Sequence, residues 1–227
     1  MNLLVLGKGK TGSLVAEIAE QRGHQVTVAG SVENAGGAAL SPEKLRGIDV
    51  VVDFTSPKAV IANIEACTRA RKNMVVGTTG WYQDLAAVRQ LVEQSAIGFL
   101  YGSNFSIGVN LFFDIARTAA TALNRGYQGK IAETHHIHKK DAPSGTAVML
   151  RNIMQQDSAQ KLEIDSIREG DLVGTHTIVL ESSEDSITLT HAARSRRGFA
   201  AGAIRAAEWI ANKQGFYDFR DVFRELM

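Results

Sequence analysis

The stretch LLVLGKGKTGSLV, from Leu3 to Val15, joins a short apolar run to a glycine-rich loop and then to a helix-like pattern. Gly7, Gly9 and Gly12 stand in the spacing G-x-G-x-x-G between the predicted strand and the predicted helix. Glycine permits the tight turn and lets backbone N–H groups reach a pyrophosphate, while the helix N-terminus adds partial positive charge. A structural turn remains the alternative, since glycine turns after strands are common. In this context the pattern predicts a dinucleotide-binding loop.

The first hundred residues alternate strand-like and helix-like patterns. Apolar runs typical of strands occupy 2–6, 24–30, 49–54, 73–79 and 97–103. Helical patterns lie between them at 13–23, from Ser56-Pro57 onwards, and at 84–95. This alternation with short connections predicts an α/β fold with a doubly wound parallel sheet.

The pattern changes after residue 104. Helical patterns follow at 108–124, 144–156, 200–213 and 219–227, and strand-like runs at 130–138, 161–168, 175–182 and 186–194. Strands that succeed one another through polar turns are typical of antiparallel pairing. The sequence therefore predicts a second domain of α+β type with a mainly antiparallel open sheet.

Composition limits the classes of protein and of partner. With 227 residues, 44% apolar and 22% charged, the chain suits one large or two small globular domains. A net charge of +1 gives no global attraction to nucleic acid or anionic lipid. The single Cys67 excludes a disulfide framework, and a buried structural thiol is expected. The start MNLLVLGKG lacks a basic leader and no run approaches the ~18 apolar residues of a membrane span, so a cytoplasmic protein is expected.

The end of the second predicted strand bears on cofactor preference. The acid that usually takes the ribose 2′-hydroxyl is missing there, because 29–31 reads Ala-Gly-Ser and Glu33 comes slightly late. Lys8 and Lys10 lie inside the glycine loop, where they could face a 2′-phosphate, although both could also be merely solvated. The sequence predicts that NADPH is accepted, alongside NADH.

Two further loops follow predicted strands, GTTG at 77–80 and GSNFS at 102–106. Ligands of open α/β sheets lie outside the carboxyl ends of the strands. Small residues there leave room for a nicotinamide ring and offer backbone groups to its amide. Together with the glycine loop, these segments predict a cofactor trough.

The segment ETHHIHKKDAPSGTA, at 133–147, concentrates proton-handling and cationic side chains. If 130–138 is a strand, His135 projects to one face with Lys139, and His136 and His138 project to the other. Pro143 then ends the strand and Ser144 caps a helix, so the N–H groups of Gly145 and Thr146 point outward. A helix start beside histidine and lysine predicts a site for a small carboxylate with a proton donor attached.

Other interpretations of this segment are open. His135, His136, His138 and Asp141 could be metal ligands, yet adjacent strand residues point apart and no second ligand cluster is evident. His138 and Asp141 could equally be structural, and Lys140 solvated. No metal is predicted.

The segment resembles the signature of the dihydrodipicolinate reductase family, also called 4-hydroxy-tetrahydrodipicolinate reductase. The resemblance spans nearly the whole chain, through GKGKTG, DFTSP, GTTG, SNFSIGVN, the histidine segment, REGDLVGTHTI and RRGFAAGAIRAAEWI in the order of the family. So many motifs in order are more specific than any one of them.

The resemblance implies an activity and an architecture. The activity is NAD(P)H-dependent reduction of 4-hydroxy-tetrahydrodipicolinate to tetrahydrodipicolinate with loss of water, in lysine and diaminopimelate biosynthesis. The implied domains are a Rossmann-type dinucleotide-binding domain at 1–106, to which 196–227 returns, and a substrate-binding and oligomerisation domain at 107–195. A homotetramer is expected, with closure between the domains and with no nucleic-acid or membrane partner.

The resemblance also implies roles for single residues. His135 corresponds to the catalytic acid and Lys139 to the catalytic lysine, while His136, Gly145 and Thr146 contact the substrate. The implied cofactor-binding residues are Gly7, Lys8, Gly9, Lys10, Thr11, Gly12, Gly77, Thr78, Thr79, Gly102, Ser103, Asn104, Phe105, Arg196 and Phe199.

The chain departs from the family pattern in two short segments, between Gly30 and Asp49 and between Thr146 and Arg168. The first lies around the adenosine end of the cofactor, and the second could alter substrate-domain loops or oligomer contacts. Two other functions are weighed as alternatives. Another two-domain NAD(P) dehydrogenase of amino-acid metabolism would lack HHxxKxDAPSGT. A non-catalytic NADPH-sensing protein would have no use for an acid, a lysine and an anion-binding helix start together.

Overall fold

The computed structural model describes residues 1–227 and contains ten strands and eight α-helices. The strands are β1 (Asn2–Leu6), β2 (Gln25–Ala29), β3 (Val50–Asp53), β4 (Asn73–Val76), β5 (Gly98–Tyr101), β6 (Gln128–His135), β7 (Ile164–Arg168), β8 (Thr175–Glu181), β9 (Ser186–Ala192) and β10 (Gly215–Asp218). The helices are α1 (Lys10–Gln21), α2 (Pro42–Leu45), α3 (Pro57–Arg69), α4 (Leu85–Ser95), α5 (Ile107–Ala119), α6 (Gly145–Gln155), α7 (Arg197–Ile210) and α8 (Phe219–Val222). None of the helices has the length and apolar character needed to cross a bilayer.

The chain divides into two compact units. The first comprises Met1–Ile107 together with Arg197–Met227, and the second comprises Gly108–Arg196. Each unit contains its own sheet.

The sheet of the first unit has six strands in the order β10-β5-β4-β3-β1-β2, and every neighbouring pair is parallel. The predicted doubly wound parallel sheet is therefore confirmed. Strand β10 was not predicted from the sequence. Its four residues, GFYD, carry too little periodicity to mark a strand, and they extend the sheet by pairing with β5.

Both faces of this sheet are buried, as parallel sheets require. Along β1, Leu3 and Val5 join a cluster that includes apolar side chains of α1 and α7. Leu4 and Leu6 join a second cluster with side chains of α3 and α4. Full burial of one such side chain contributes about 1.5–3 kcal/mol, so both clusters stabilise the unit substantially.

The second unit has a four-stranded sheet in the order β7-β6-β8-β9. The pairs β6–β8 and β8–β9 are antiparallel, which confirms a mainly antiparallel sheet. The run 161–168, predicted as an antiparallel strand, instead forms β7 and pairs parallel to β6. The reason is topological, because α6 lies between β6 and β7 in the chain and a strand–helix–strand crossover gives parallel neighbours.

The predicted strand at 130–138 is too long at its carboxyl end. Strand β6 ends at His135, where the segment that follows β7 takes over the hydrogen bonding. The N–H of His136 donates to Leu172 O at 2.9 Å, and the N–H of Ile137 donates to Gly170 O at 3.2 Å. The chain then turns, so the strand alternation from which the faces of His138 and Lys139 were predicted ends at His135. The rings of His136 and His138 lie near each other, with centroids 6.3 Å apart.

Candidate active site

Two cavities lie beside the glycine loop of the first unit. One, of about 720 Å³, is lined by Gly7, Lys8 and Gly9 from that loop and by Ser31 and Glu33 after β2. The other, of about 280 Å³, is lined by residues of two predicted cofactor segments, namely Gly9, Lys10, Thr11, Gly12, Gly77, Thr78 and Thr79. The structure therefore brings these two predicted segments together at the carboxyl ends of the strands.

The geometry of the loop fits a pyrophosphate. Helix α1 begins after Gly9, and no side chain caps its first N–H groups. A Cβ on Gly12 would overlap the carbonyl oxygen of Gly7, and Gly7 itself has φ +107°. Beside Gly9, by contrast, a Cβ would meet open space. The loop thus presents backbone donors and a helix N-terminus to a cavity that has room for an anion.

Lys8 and Glu33 form an ion pair at the larger cavity. Glu33 also accepts a hydrogen bond from the N–H of Gly30 at 2.9 Å. The hydrogen bond from Lys8 is the main cause that holds the pKa of Glu33 below its ordinary value. A carboxylate and an ammonium group thus stand together beyond β2, where a ribose 2′-substituent is recognised.

A buried carboxylate holds the GTTG loop in place through hydrogen bonds. Asp53, at the end of β3, is fully buried and accepts hydrogen bonds from Thr78 Oγ1 at 2.6 Å and from Thr55 N at 2.9 Å. Its other oxygen accepts from Asn63 Nδ2 at 2.8 Å. Asn63 Oδ1 in turn accepts from Asn34 Nδ2 at 3.0 Å. The chain of bonds connects the loop after β4 to the loop after β2.

The GSNFS segment lines neither of these two cavities. Phe105 is 2% exposed, and its ring packs at 4.7 Å from the ring of Phe219. The side chain of Phe105 is therefore part of the core, so a contact with a cofactor would come from its backbone. Asn104 Oδ1 accepts the N–H of Ser106 at 2.9 Å, while Ser103 is exposed and Gly102 is buried.

In the second unit, Glu133 and His135 lie two residues apart on β6 and point to the same buried face. His135 Nδ1 is hydrogen bonded to Glu133 Oε2. Gly174 passes the other edge of the imidazole, where a Cβ would lie 2.7 Å from His135 Nε2. Only glycine fits there, because its backbone packs directly beside the Nε2 edge of the buried ring.

The start of α6 is tied to the same carboxylate. Ser144 is the N-cap of α6, and its Oγ accepts the N–H of Ala147 at 3.2 Å, as predicted for a capping serine. The N–H of Ser144 donates to Glu133 Oε1 at 3.2 Å. Ser144 Oγ also lies 3.0 Å from Nε2 of the buried His176. Gly145, the first helical residue, is exposed, with open space around its Cβ position.

The basic side chains around this site have defined partners. Lys139 is only partly exposed and its Nζ donates to Asp141 Oδ1 at 2.8 Å. Arg168 donates from Nη2 to Glu133 Oε1 at 2.8 Å and to the carbonyl of Asp141 at 2.6 Å. No group of three His, Cys, Asp or Glu side chains is arranged so that it could hold a metal ion.

At the turn after β6, a residue predicted to bind the cofactor lies beside a residue predicted to bind the substrate. Arg196, predicted at the cofactor, lies in the second unit with its Nη2 3.3 Å from His136 Nε2. His136, predicted at the substrate, is half-buried, whereas His138 is exposed. Phe199, in the first turn of α7, is partly exposed in the first unit.

The pKa values of the buried groups at this site indicate which of them are charged and which are neutral. Burial raises the pKa of Glu133, but hydrogen bonds from Arg168, Ser166 and His135 outweigh it and lower that pKa to about 2. Burial lowers the pKa of His135 below its ordinary value, and the hydrogen bond to Glu133 opposes part of that shift. Burial, with charge on His135, lowers the pKa of His176 to about 4. At neutral pH, Glu133 is therefore an anion and His176 is neutral.

Sequence reasoning missed Glu133, Arg168, His176 and Asp53 as parts of these sites. Glu133 carried a usable signal, because a residue two before His135 on a predicted strand shares its face. Arg168 and His176 carried none, since they come from other strands. The register of β6 with β7 and β8 brings them beside Glu133.

Comparison with known proteins gives consistent matches along the whole chain. The family model described as "Dihydrodipicolinate reductase, N-terminus" matches residues 1–105, and "Dihydrodipicolinate reductase, C-terminus" matches residues 108–223. A 4-hydroxy-tetrahydrodipicolinate reductase of Christiangramia forsetii is 38% identical over 242 residues, covering 100% of this chain and 99% of that protein. One of Natronomonas pharaonis is 36% identical, covering 97% of this chain and 99% of that protein.

Solved structures show the same fold. A dipicolinate-bound dihydrodipicolinate reductase from Paenisporosarcina sp. TG-14 superposes with a TM-score of 0.79 at 22% identity, covering 98% of this chain and 99% of that one. A probable dehydrogenase from Thermotoga maritima reaches a TM-score of 0.62 at 12% identity, covering 100% of this chain and 93% of that one. The fold is therefore shared with dehydrogenases, while the specific similarity in sequence is to the reductases.

Proposed function

The chain belongs to the dihydrodipicolinate reductase family, and from this premise we propose the residues by which it works. It is an NAD(P)H-dependent oxidoreductase of lysine and diaminopimelate biosynthesis. In the reaction, 4-hydroxy-tetrahydrodipicolinate, NAD(P)H and a proton give tetrahydrodipicolinate, NAD(P)⁺ and water. The chain must therefore bind a cyclic dicarboxylate and deliver one proton.

The observation that carries the proposal is the arrangement at the carboxyl end of β6. A buried imidazole, a cationic side chain and an exposed helix start follow one another within residues 135–146. The imidazole and the helix start are bonded to a single carboxylate, Glu133. This combination suits an acid acting on a bound anion, and it has no use in a protein that only senses a nucleotide.

We assign substrate binding to the start of α6. The backbone N–H groups of Gly145 and Thr146, at an exposed helix N-terminus, would hold one carboxylate of the substrate. His136, on the turn that precedes the helix, would contact the same substrate from a half-buried position. The lack of a side chain on Gly145 leaves space for the carboxylate to approach the backbone.

We assign the acid role to His135 and an electrostatic role to Lys139. His135 would donate its proton from Nε2 to the ring that has accepted hydride, because Nδ1 is committed to Glu133. Lys139 would exchange its contact with Asp141 for the substrate carboxylate and the electron-rich intermediate. The reduced nicotinamide, when bound, supplies the hydride.

We assign cofactor binding to the segments that line the two cavities of the first unit. Gly7, Gly9 and Gly12 would admit the pyrophosphate to the start of α1, with Thr11 beside it. Lys8 would face the adenosine ribose and Lys10 the second cavity, which it shares with Gly77, Thr78 and Thr79. Contacts from Gly102, Ser103, Asn104 and Phe105, and from Arg196 and Phe199, are part of the same proposal.

The ion pair between Lys8 and Glu33 should set the balance between the two cofactors. Replacing Glu33 by Gln frees Lys8 for a 2′-phosphate and removes a repulsive carboxylate. Because the pair is exposed, we expect only a two- to fivefold rise in the ratio of NADPH to NADH affinity, in roughly the range of surface ion pairs. Fluorescence titration with each cofactor measures the ratio. An unchanged ratio would remove Glu33 from cofactor discrimination.

The reaction should lose rate as pH rises, since His135 must be protonated to act as an acid. Burial lowers the pKa of His135 in the free protein, so the falling limb of kcat/KM should lie below the ordinary histidine value of about 6.5. A bound dicarboxylate favours the imidazolium, so the falling limb of kcat should lie at higher pH. Steady-state rates across pH measure both limbs. A kcat/KM that rises through this range would contradict the acid role.

We further propose a cytoplasmic homotetramer built through the second unit, without nucleic-acid or membrane partners. The sheet of that unit supports this proposal, because β9 at its edge is largely exposed. The proposed activity is tested by mixing purified protein with NADPH and enzymatically generated substrate and following the absorbance of reduced nicotinamide. Oxidation that depends on this substrate supports the proposal. Oxidation with amino-acid dehydrogenase substrates alone, or with none, contradicts it.

A further inference from the structure

Glu133 is a buried carboxylate in the middle of a sheet, where an ion without partners would be strongly destabilising. It is 1% exposed and lies opposite Ser166 on β7 and His176 on β8. Its two carboxylate oxygens accept hydrogen bonds from different parts of the structure. Oε2 binds the imidazole of His135, and Oε1 binds the start of α6 and the guanidinium of Arg168.

This division has a consequence for the tautomer of His135. An ionised carboxylate can only accept hydrogen bonds, so the Nδ1 that faces it must carry a proton. The atom that gains and loses a proton is then Nε2, on the edge of the ring beside Gly174. In the same way, the carboxylate of a serine-protease triad fixes the tautomer of its histidine.

We propose that Glu133 is a positioning residue for the reductase reaction. It holds the proton on Nδ1 of His135, so that Nε2 is the acid, and through the N–H of Ser144 it fixes that imidazole relative to the helix start that takes the carboxylate. This inference rests on the proposed function, because it assigns Glu133 to the acid and the anion site named there.

The charged groups that face His135 determine in which direction its pKa should change when each of them is removed. Glu133 favours the imidazolium, while Lys139 and Arg168 disfavour it, as does the burial of the ring. The fourth neighbour, His176, stands with its ring centroid 5.1 Å from that of His135 and is neutral at neutral pH. Removing the carboxylate and removing the guanidinium should therefore move the titration of His135 in opposite directions.

Glu133→Gln is the first test. The single amide oxygen would face the donors Ser144 N–H and Arg168, which places the amide NH₂ against Nδ1 and disfavours the imidazolium. We expect kcat to fall by about 10²-fold or more, in line with the loss of about 10⁴ when the triad carboxylate is replaced by its amide. The falling limb of kcat/KM should move to lower pH by about one unit or more. Histidine ¹⁵N shifts should show Nδ1 of His135 losing its proton.

The matched control is Glu181→Gln, which makes the same change on an exposed strand position of the same sheet. It should keep the kcat, the pH limb and the ¹⁵N pattern of the unaltered protein. A folded Glu133→Gln variant that matches this control in all three would overturn the inference.

If Glu133→Gln does not fold, Arg168→Gln provides the second test of the proposed role of Glu133. It keeps the carboxylate and removes a positive charge near His135, so the falling limb should move to higher pH. Because this variant keeps Glu133, the ¹⁵N shifts of neutral His135 should still show the proton on Nδ1 and none on Nε2. A proton on Nε2 with none on Nδ1, in this variant or in the unaltered protein, would overturn the inference. Failure of the proposed function is distinguishable, because the unaltered protein would then show no substrate-dependent oxidation while the ¹⁵N shifts still report the tautomer.

Discussion

Replacing His135 by Gln is expected to lower kcat by about 10²–10⁴-fold, the usual contribution of a positioned general acid. Glutamine can fill part of the buried site and still bond Glu133, but it cannot transfer a proton. The affinity for NADPH should stay close to that of the unaltered protein, because the proposed pyrophosphate site at Gly7–Gly12 lies on separate elements. Stopped-flow rates and fluorescence titration measure the two quantities.

His138→Gln is the matched control for this variant. His138 lies three residues after His135, in the turn that follows β6, is exposed, and has no place in the proposed chemistry. It should keep normal turnover. If the His135 variant turned over as fast as the His138 variant, His135 would not be the acid.

Replacing Lys139 by Met is expected to lower kcat/KM by about 10²–10³-fold, comparable with the loss of one electrostatic stabiliser of a developing charge. Methionine preserves the bulk of the side chain and removes the charge. Part of the loss should appear in KM, since Lys139 would meet the substrate carboxylate in the ground state as well. Steady-state kinetics at saturating NADPH separate the two parameters.

Lys140→Met provides the comparison, because it removes an equal charge from the adjacent exposed position. It should change kcat/KM only slightly. Equal losses in the two variants would mean that the general positive potential of the segment matters, and not a specific contact from Lys139.

The features that the sequence predicted well are those set by local chemistry. The glycine loop was recognisable because Gly7 and Gly12 are needed by backbone geometry in a short strand–loop–helix unit. The start of α6 was recognisable because Ser144 caps its helix through a bond three residues away. Such interactions join residues that are close in sequence, so periodicity and spacing predict them.

The errors concern features set by distant partners. The alternating pattern at 130–138 continues past His135, yet β6 ends at that residue, and the next two N–H groups donate to Leu172 and Gly170 in the segment after β7. The parallel pairing of β7 is an error of another kind, because it follows from the crossover through α6, a helix that the sequence did predict. Arg168 reaches Glu133 across the β6–β7 pair, 35 residues away in sequence. The sequence pattern indicates which strands exist, but it does not show that the side chain of Arg168 will reach that of Glu133.

In the proposed complex, a diacid is bound at the start of α6 beside His135. The most direct measurement is NMR titration of the ¹⁵N-labelled protein with pyridine-2,6-dicarboxylate, a planar ring that carries two carboxylates like the substrate. We predict that the largest shifts occur at the backbone N–H groups of Gly145 and Thr146 and at the imidazole of His135. Saturable binding that leaves these three groups unmoved, or that shifts only the loop at Gly7–Gly12, would contradict this placement of the substrate.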